Sequence, residues 1–148
     1  MIKSGRESCL HYKNEYMNTK TLMIASAFFL GILGIALSFF PQEIAIYMGI
    51  DTNPISILFL QLFSSLYLGF GVLNWMAKSN LIGGIYSRPL AIGNLMHFGA
   101  SAIALFKITL KIQTHFEIIL ALTLIYSIFA LCFTYIFVTN PSKISNPI

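Results

Sequence analysis

TLMIASAFFLGILGIALSFF, residues Thr21–Phe40, runs for twenty positions without an ionised side chain. A bilayer core about 30 Å thick is crossed by roughly 20 helical residues rising 1.5 Å each, so this run reads as one membrane span. Three further runs follow it: Pro54–Ala77, Leu90–Phe106 and Phe116–Val138. The only ionised side chain inside the four is Glu117, in the first turn of the last. The third run is the shortest. It extends to Thr109 by admitting Lys107, whose ammonium can snorkel to the interface. Transmembrane strands would alternate apolar and polar residues, and these runs are apolar on every face.

Composition agrees with that solvent. The 148 residues are 57% hydrophobic and 9% charged, against roughly 25% charged in a soluble domain. Four helices with so few charges could not cover a water-facing surface. The expected fold class is all-α, an integral membrane four-helix bundle with a short interfacial helix between its first and second spans. One domain is expected, with an N-terminal tail over 1–18, spans over about 19–40, 54–78, 89–109 and 115–139, and a C-terminal tail over 141–148.

The nine basic residues decide orientation. Lys3, Arg6, Lys13 and Lys20 precede the first span, Lys78 and Arg88 flank the second connection, and Lys143 follows the fourth span. The opposite side holds Lys107 and Lys111, and its first connection carries Glu43 and Asp51 instead. Positive charge accumulates on the cytoplasmic side, which puts both termini there, in a bacterial inner membrane. The net charge of +4 does not point to nucleic acid, because no basic stripe concentrates it.

The first span exceeds the apolar core of a signal peptide, and no small-residue cleavage site follows Phe40, so it reads as a retained helix. Met17-Asn18-Thr19-Lys20 directly before it has the form of a natural start. Residues 1–16 are then an extension or a matter of start-site choice. Cys9 in the tail and Cys132 in the fourth span are read as free thiols, with no metal-ligand spacing around them.

Punctuation is clear between the spans. Asn18 or Thr19 can cap the first, and Pro41 stops it. Pro41–Met48 reads as the short interfacial helix, with proline and Glu43 in its first turn and Gly49 closing it. Asn53-Pro54 starts the second span and Ser87-Arg88-Pro89 the third. Thr114-His-Phe-Glu117 has capping-box spacing for the fourth, which Asn140-Pro141 ends. Gly83-Gly84 near Arg88 reads as a turn rather than an anion site.

On helical wheels at about 100° per residue, three spans carry polar stripes. The second has Gln61, Ser64, Ser65 and Gly71, with Tyr67 and Asn74 just beyond. The third has Gly93, Asn94, His97, Ser101 and Ala104; the fourth has Thr123, Tyr126, Ser127, Ala130 and Thr134. The first span has a stripe of small residues instead, Ala27, Gly31, Gly34 and Ser38. In lipid, small residues let backbones approach and polar ones hydrogen-bond between helices. All four stripes therefore have a packing explanation. The functional alternative is that the second, third and fourth converge on a partly polar cavity.

In that alternative His97, Asn94, Ser101, Gln61, Ser64, Ser65, Tyr126 and Ser127 are the ligand-binding candidates. His97 is the one titratable group on a polar stripe, able to hold a ligand's polar end, ligate haem or relay a proton. A haem in a membrane cytochrome generally needs a second axial histidine, and His11 and His115 fall in loops. No Asp or Glu lies deep in a span, which weighs against proton-coupled transport. The residues name no catalytic set, no metal site and no particular cofactor.

The layout resembles the DoxX-like group of small four-helix membrane proteins. The features that match are Gly31-Ile-Leu-Gly34 leading to Phe40-Pro41, Met48-Gly49-Ile50 in the outer connection, Leu68-Gly-Phe-Gly71, and Arg88-Pro89 with Gly93-Asn94. They cover about residues 20–140 and are short. The resemblance implies a four-helix bundle and, for some members, a link to quinone-related redox complexes; it carries over no catalytic residue. The function expected is a small polytopic membrane protein that binds an amphipathic, lipid- or quinone-like ligand, or serves as an accessory subunit. Its partners would be the bilayer, such a ligand, and a membrane protein or a second copy. A redox enzyme using His97 and a small oligomeric channel or transporter are the alternatives.

Overall fold

The computed structural model describes residues 3–79, 88–111 and 115–139, with side chains described over 19–79, 89–111 and 115–138. These residues form five helices: α1 (Lys3–Phe39), α2 (Pro41–Tyr47), α3 (Pro54–Ala77), α4 (Arg88–Thr109) and α5 (Phe116–Thr139). No strand occurs among the described residues. Among the described residues, four stretches are long and apolar enough to cross a membrane: Thr19–Phe39, Pro54–Ala77, Pro89–Thr109 and Phe116–Val138. The fold class is thus the expected all-α one, with four membrane-length helices and a short helix between the first two. The chain is a small membrane protein.

One boundary differs from expectation. α1 does not begin at Asn18 or Thr19 but is continuous from Lys3. Residues 3–18 include Lys, Arg, Glu and Leu, which favour helix, and no proline that would break it. The expected caps at Ser87 and Thr114, the Gly83-Gly84 turn and the Asn140-Pro141 stop lie outside the described residues.

The other punctuation acts as read. Pro41 occupies the first turn of α2 and is buried together with Ala45. Gly49 takes the left-handed conformation, φ +67°, beyond the end of that helix. There a Cβ would be strained, and glycine is free of it. The side chain of Asn53 accepts a hydrogen bond from the backbone N–H of Ser56 at 2.8 Å, capping α3.

The chain divides into two compact units, Met1–Ser79 and Asn80–Ile148. In the first, α1 and α3 pack antiparallel, with α2 against both. The antiparallel register follows from three contacts. Asn74 Nδ2 donates to Ser26 Oγ at 3.0 Å, Gly71 lies against Ala27 and Gly31, and Gly34 lies against Leu68. Ser26 passes its own proton to the Met23 carbonyl at 3.0 Å, so a fully buried hydrogen-bonded chain ties the helices together. The small-residue stripe of the first span explains the rest. A Cβ on Gly71 would stand 3.2 Å from the Ala27 carbonyl oxygen and from the Gly31 nitrogen. The two backbones therefore touch, as small residues permit in lipid.

The second unit is the α4–α5 hairpin. Its core is aromatic: Phe98 and Phe133 are fully buried, and Phe98 stacks on Phe129 at 4.8 Å and on Phe133 at 5.6 Å between ring centres. Toward the connection, the hydroxyls of Thr109 and Thr123 meet at 3.0 Å. The Leu105 and Ile119 carbonyls lie 2.7 Å from the Thr109 and Thr123 hydroxyls; with one proton each, one hydroxyl donates across the pair while the other donates to the carbonyl of its own helix. Thr123→Val removes the interhelical bond at nearly constant volume. It is expected to destabilise this hairpin by about 0.6 kcal/mol, the usual worth of such a bond in a bilayer, read from unfolding of the reconstituted protein.

Candidate functional site

The predicted polar residues fall in both units. In the second, Asn94 is fully buried and its Nδ2 donates to the Leu90 carbonyl of its own helix at 3.0 Å. His97 is half-buried, Tyr126 is buried, and their ring centres stand 6.1 Å apart. Phe98 lies beside both rings, at 5.2 Å from His97 and 5.5 Å from Tyr126. The structure therefore brings together His97 and Tyr126, within an aromatic core. Ser101 is half-buried on α4. Ser127 Oγ donates to the Thr123 carbonyl at 2.7 Å. A hydroxyl has one proton to give, so Ser127 can offer a ligand only an acceptor.

In the first unit, α3 separates residues that the wheel groups together. Ser64 is buried, whereas Gln61 and Ser65 are exposed. Ser65 Oγ donates to the Gln61 carbonyl at 3.1 Å. Among the described residues no three His, Cys, Asp or Glu side chains gather as a metal site.

A concavity that the wheels do not reveal lies on the first unit, between α1 and α3. Its volume is about 470 Å³, within the roughly 300–1,000 Å³ of small-molecule sites. The floor is Gly31 and Gly71, where the two backbones touch and no side chain fills the space. Phe28, Ile32, Val72 and Trp75 line it, and each is exposed. Phe28 and Trp75 meet edge to face at 5.6 Å. Lys78 places its ammonium 3.1 Å from the centre of the Trp75 ring, a cation–π contact beside the groove.

The groove follows the helices and is lined by hydrocarbon, with a tryptophan and, beside it, a cation at one end. That is the polarity pattern of an amphiphile. The sequence marks one part of it, Gly31, as a close-packing residue, and tryptophan at the end of a span, as Trp75 is, favours the membrane–water interface. The missing information is the register that sets Gly31 against Gly71. No family model matches the chain, and neither the curated proteins nor the solved structures give a match to it.

Proposed function

We propose that this membrane protein is a non-enzymatic module that binds a small amphiphile in the α1–α3 groove. The observation that carries the reading is the apolar concavity of about 470 Å³ floored by Gly31 and Gly71. Within a bilayer such a space does not stay empty. An acyl or isoprenoid chain fits it by shape, and Trp75 and Lys78 supply a polar end. The orientation that goes with this reading puts both termini, with Lys20 and Lys78, on the cytoplasmic side of a bacterial inner membrane, following the excess of basic residues there.

The groove, rather than the set around His97, is the stronger site. His97 and Tyr126 stand among close-packed rings, an arrangement that serves packing of the α4–α5 hairpin. A second reading, an accessory subunit, is favoured by Gln61. This amide is exposed within a membrane-length helix, where it gains from a hydrogen-bonding partner helix.

Native mass spectrometry after gentle extraction separates the two. The wild type is expected to retain one lipid- or quinone-sized mass. A Cβ on Gly31 meets nothing within 4 Å, so Gly31→Leu fills the groove from its floor without forcing the helices apart, and it is expected to lose the adduct. Gly99 has the same open surroundings on α4, and Gly99→Leu should retain the adduct. Equal retention by all three would overturn the groove reading. A second chain carried in place of the small mass would favour the accessory subunit.

A further inference from the structure

The geometry points to an anionic phospholipid, taken from the leaflet that meets Lys78, as the occupant of the groove; this rests on the amphiphile reading above. The first argument is depth. The α3 residues that line the groove run from Leu68 to Trp75, about 10 Å at 1.5 Å per residue. That is less than one leaflet of a hydrocarbon core about 30 Å thick. All of them lie in the C-terminal half of α3, whose bounds are Pro54–Ala77. The α1 lining, Ala27 to Ile35, is about as short, roughly 12 Å, so the groove has the length of a single acyl chain rather than of the bilayer.

The second argument is charge. The register that pairs Asn74 with Ser26 and Gly71 with Ala27 and Gly31 brings Lys20 of α1 to the same end of the hairpin as Lys78. The opposite end carries Glu43 and Asp51. A chain lying along Gly31 with its head at Trp75 thus meets cations, and the reverse placing would turn an anionic head toward carboxylates. The third argument concerns Lys78 itself. Its ammonium is seated on the face of Trp75, a residue that lines the groove, so the charge is held at the groove mouth. An ammonium seated 3.1 Å above a ring turns one N–H toward its face, which leaves the other two for phosphate oxygens. A neutral quinone or sterol would fill the same groove without using this cation.

Trp75 is the only tryptophan of the chain, so its fluorescence reports the groove directly. The full-length protein is reconstituted into phosphatidylcholine vesicles containing a small fraction of acyl-brominated phosphatidylglycerol or acyl-brominated phosphatidylcholine. Bromine quenches only on contact. One lysine near a membrane surface favours an anionic lipid by about five-fold, so the phosphatidylglycerol probe is expected to quench about five-fold more effectively. Lys78→Gln should bring the ratio close to one, and Lys78→Arg should retain it. Gly31→Leu should weaken quenching by both probes. Equal quenching by the two probes in the wild type, still lowered by Gly31→Leu, would overturn the anionic assignment and leave the amphiphile reading standing. Quenching that Gly31→Leu does not change would overturn both. Selectivity that survives Lys78→Gln would remove Lys78 from head-group recognition.

Discussion

Replacing Gly34 or Gly71 by leucine is expected to destabilise the α1–α3 hairpin by about 3 kcal/mol, the upper range for overpacking a close-packed interior. The reason is what each new Cβ would meet. At Gly34 it would stand 2.7 Å from Leu68 Cγ and 3.0 Å from the Leu68 backbone nitrogen. At Gly71 the neighbours are the Ala27 carbonyl oxygen and the Gly31 nitrogen, both at 3.2 Å. The Leu68 side chain can turn aside but its backbone nitrogen cannot, and at Gly71 every close neighbour is backbone, so the helices must separate. Separation also stretches the Asn74–Ser26 hydrogen bond, 3.0 Å long and fully buried. Gly69 on the same helix supplies the control, because its Cβ would meet nothing within 4 Å. Gly69→Leu should stay within about 0.5 kcal/mol of wild type, as substitutions away from packed features do. Steric-trap unfolding in bicelles measures all three. Equal stability of Gly71→Leu and Gly69→Leu would contradict the close backbone approach, and with it the floor of the groove.

The second large effect is expected in the other hairpin. Phe98→Ala removes the ring stacked between Phe129 and Phe133, at a position with no exposure. In water such a truncation combines a transfer loss with a cavity loss. In lipid the transfer loss largely disappears, since acyl chains are as apolar as phenyl rings. The cavity term persists, about 24 cal/mol for each Å³ left empty. A vacancy of about 100 Å³ then corresponds to about 2 kcal/mol on that scale. Phe98→Leu, which refills most of the space, should recover more than half of the loss. His97→Ala on the same helix turn touches the edge of this cluster and should cost less than Phe98→Ala. The opposite order would mean that the imidazole, not the phenyl stack, organises the hairpin.

Much of this architecture is readable from residues alone, because in a bilayer length and the absence of charge select the helices. Thr21–Phe40 and its three successors need no period to be recognised. Pro41, Glu43 and Gly49 mark α2, and Asn53-Pro54 marks the start of α3, through local chemistry that owes nothing to distant residues. α1 extends upstream to Lys3 because the polar segment before the span is a competent helix former. Its charged residues, which ended the span, do not end the helix.

The site was less legible, and for a physical reason. A wheel shows which residues share a face of one helix but not which face of another helix it meets. Gly71 and Ser64 on α3 are buried while Gln61 and Ser65, grouped with them in one arc, are exposed. The arc straddles the boundary between the contact with α1 and the outer surface. The small stripe on the first span announced close packing, but the groove depends on one glycine of that stripe meeting another glycine 40 positions later in the chain. The bulky neighbours Phe28 and Trp75 then meet edge to face beside a bare floor. That coincidence is a property of register, which side-chain type at one position does not encode.

The central claim is that the groove above Gly31 and Gly71 holds a lipid-like chain. The most direct test is a high-resolution structure of the full-length protein in a lipid nanodisc. The account predicts elongated, non-protein density lying over Gly31 and against Phe28 and Trp75, with its polar end at Lys78. A groove closed by its own side chains, or filled by another protein helix, would contradict it.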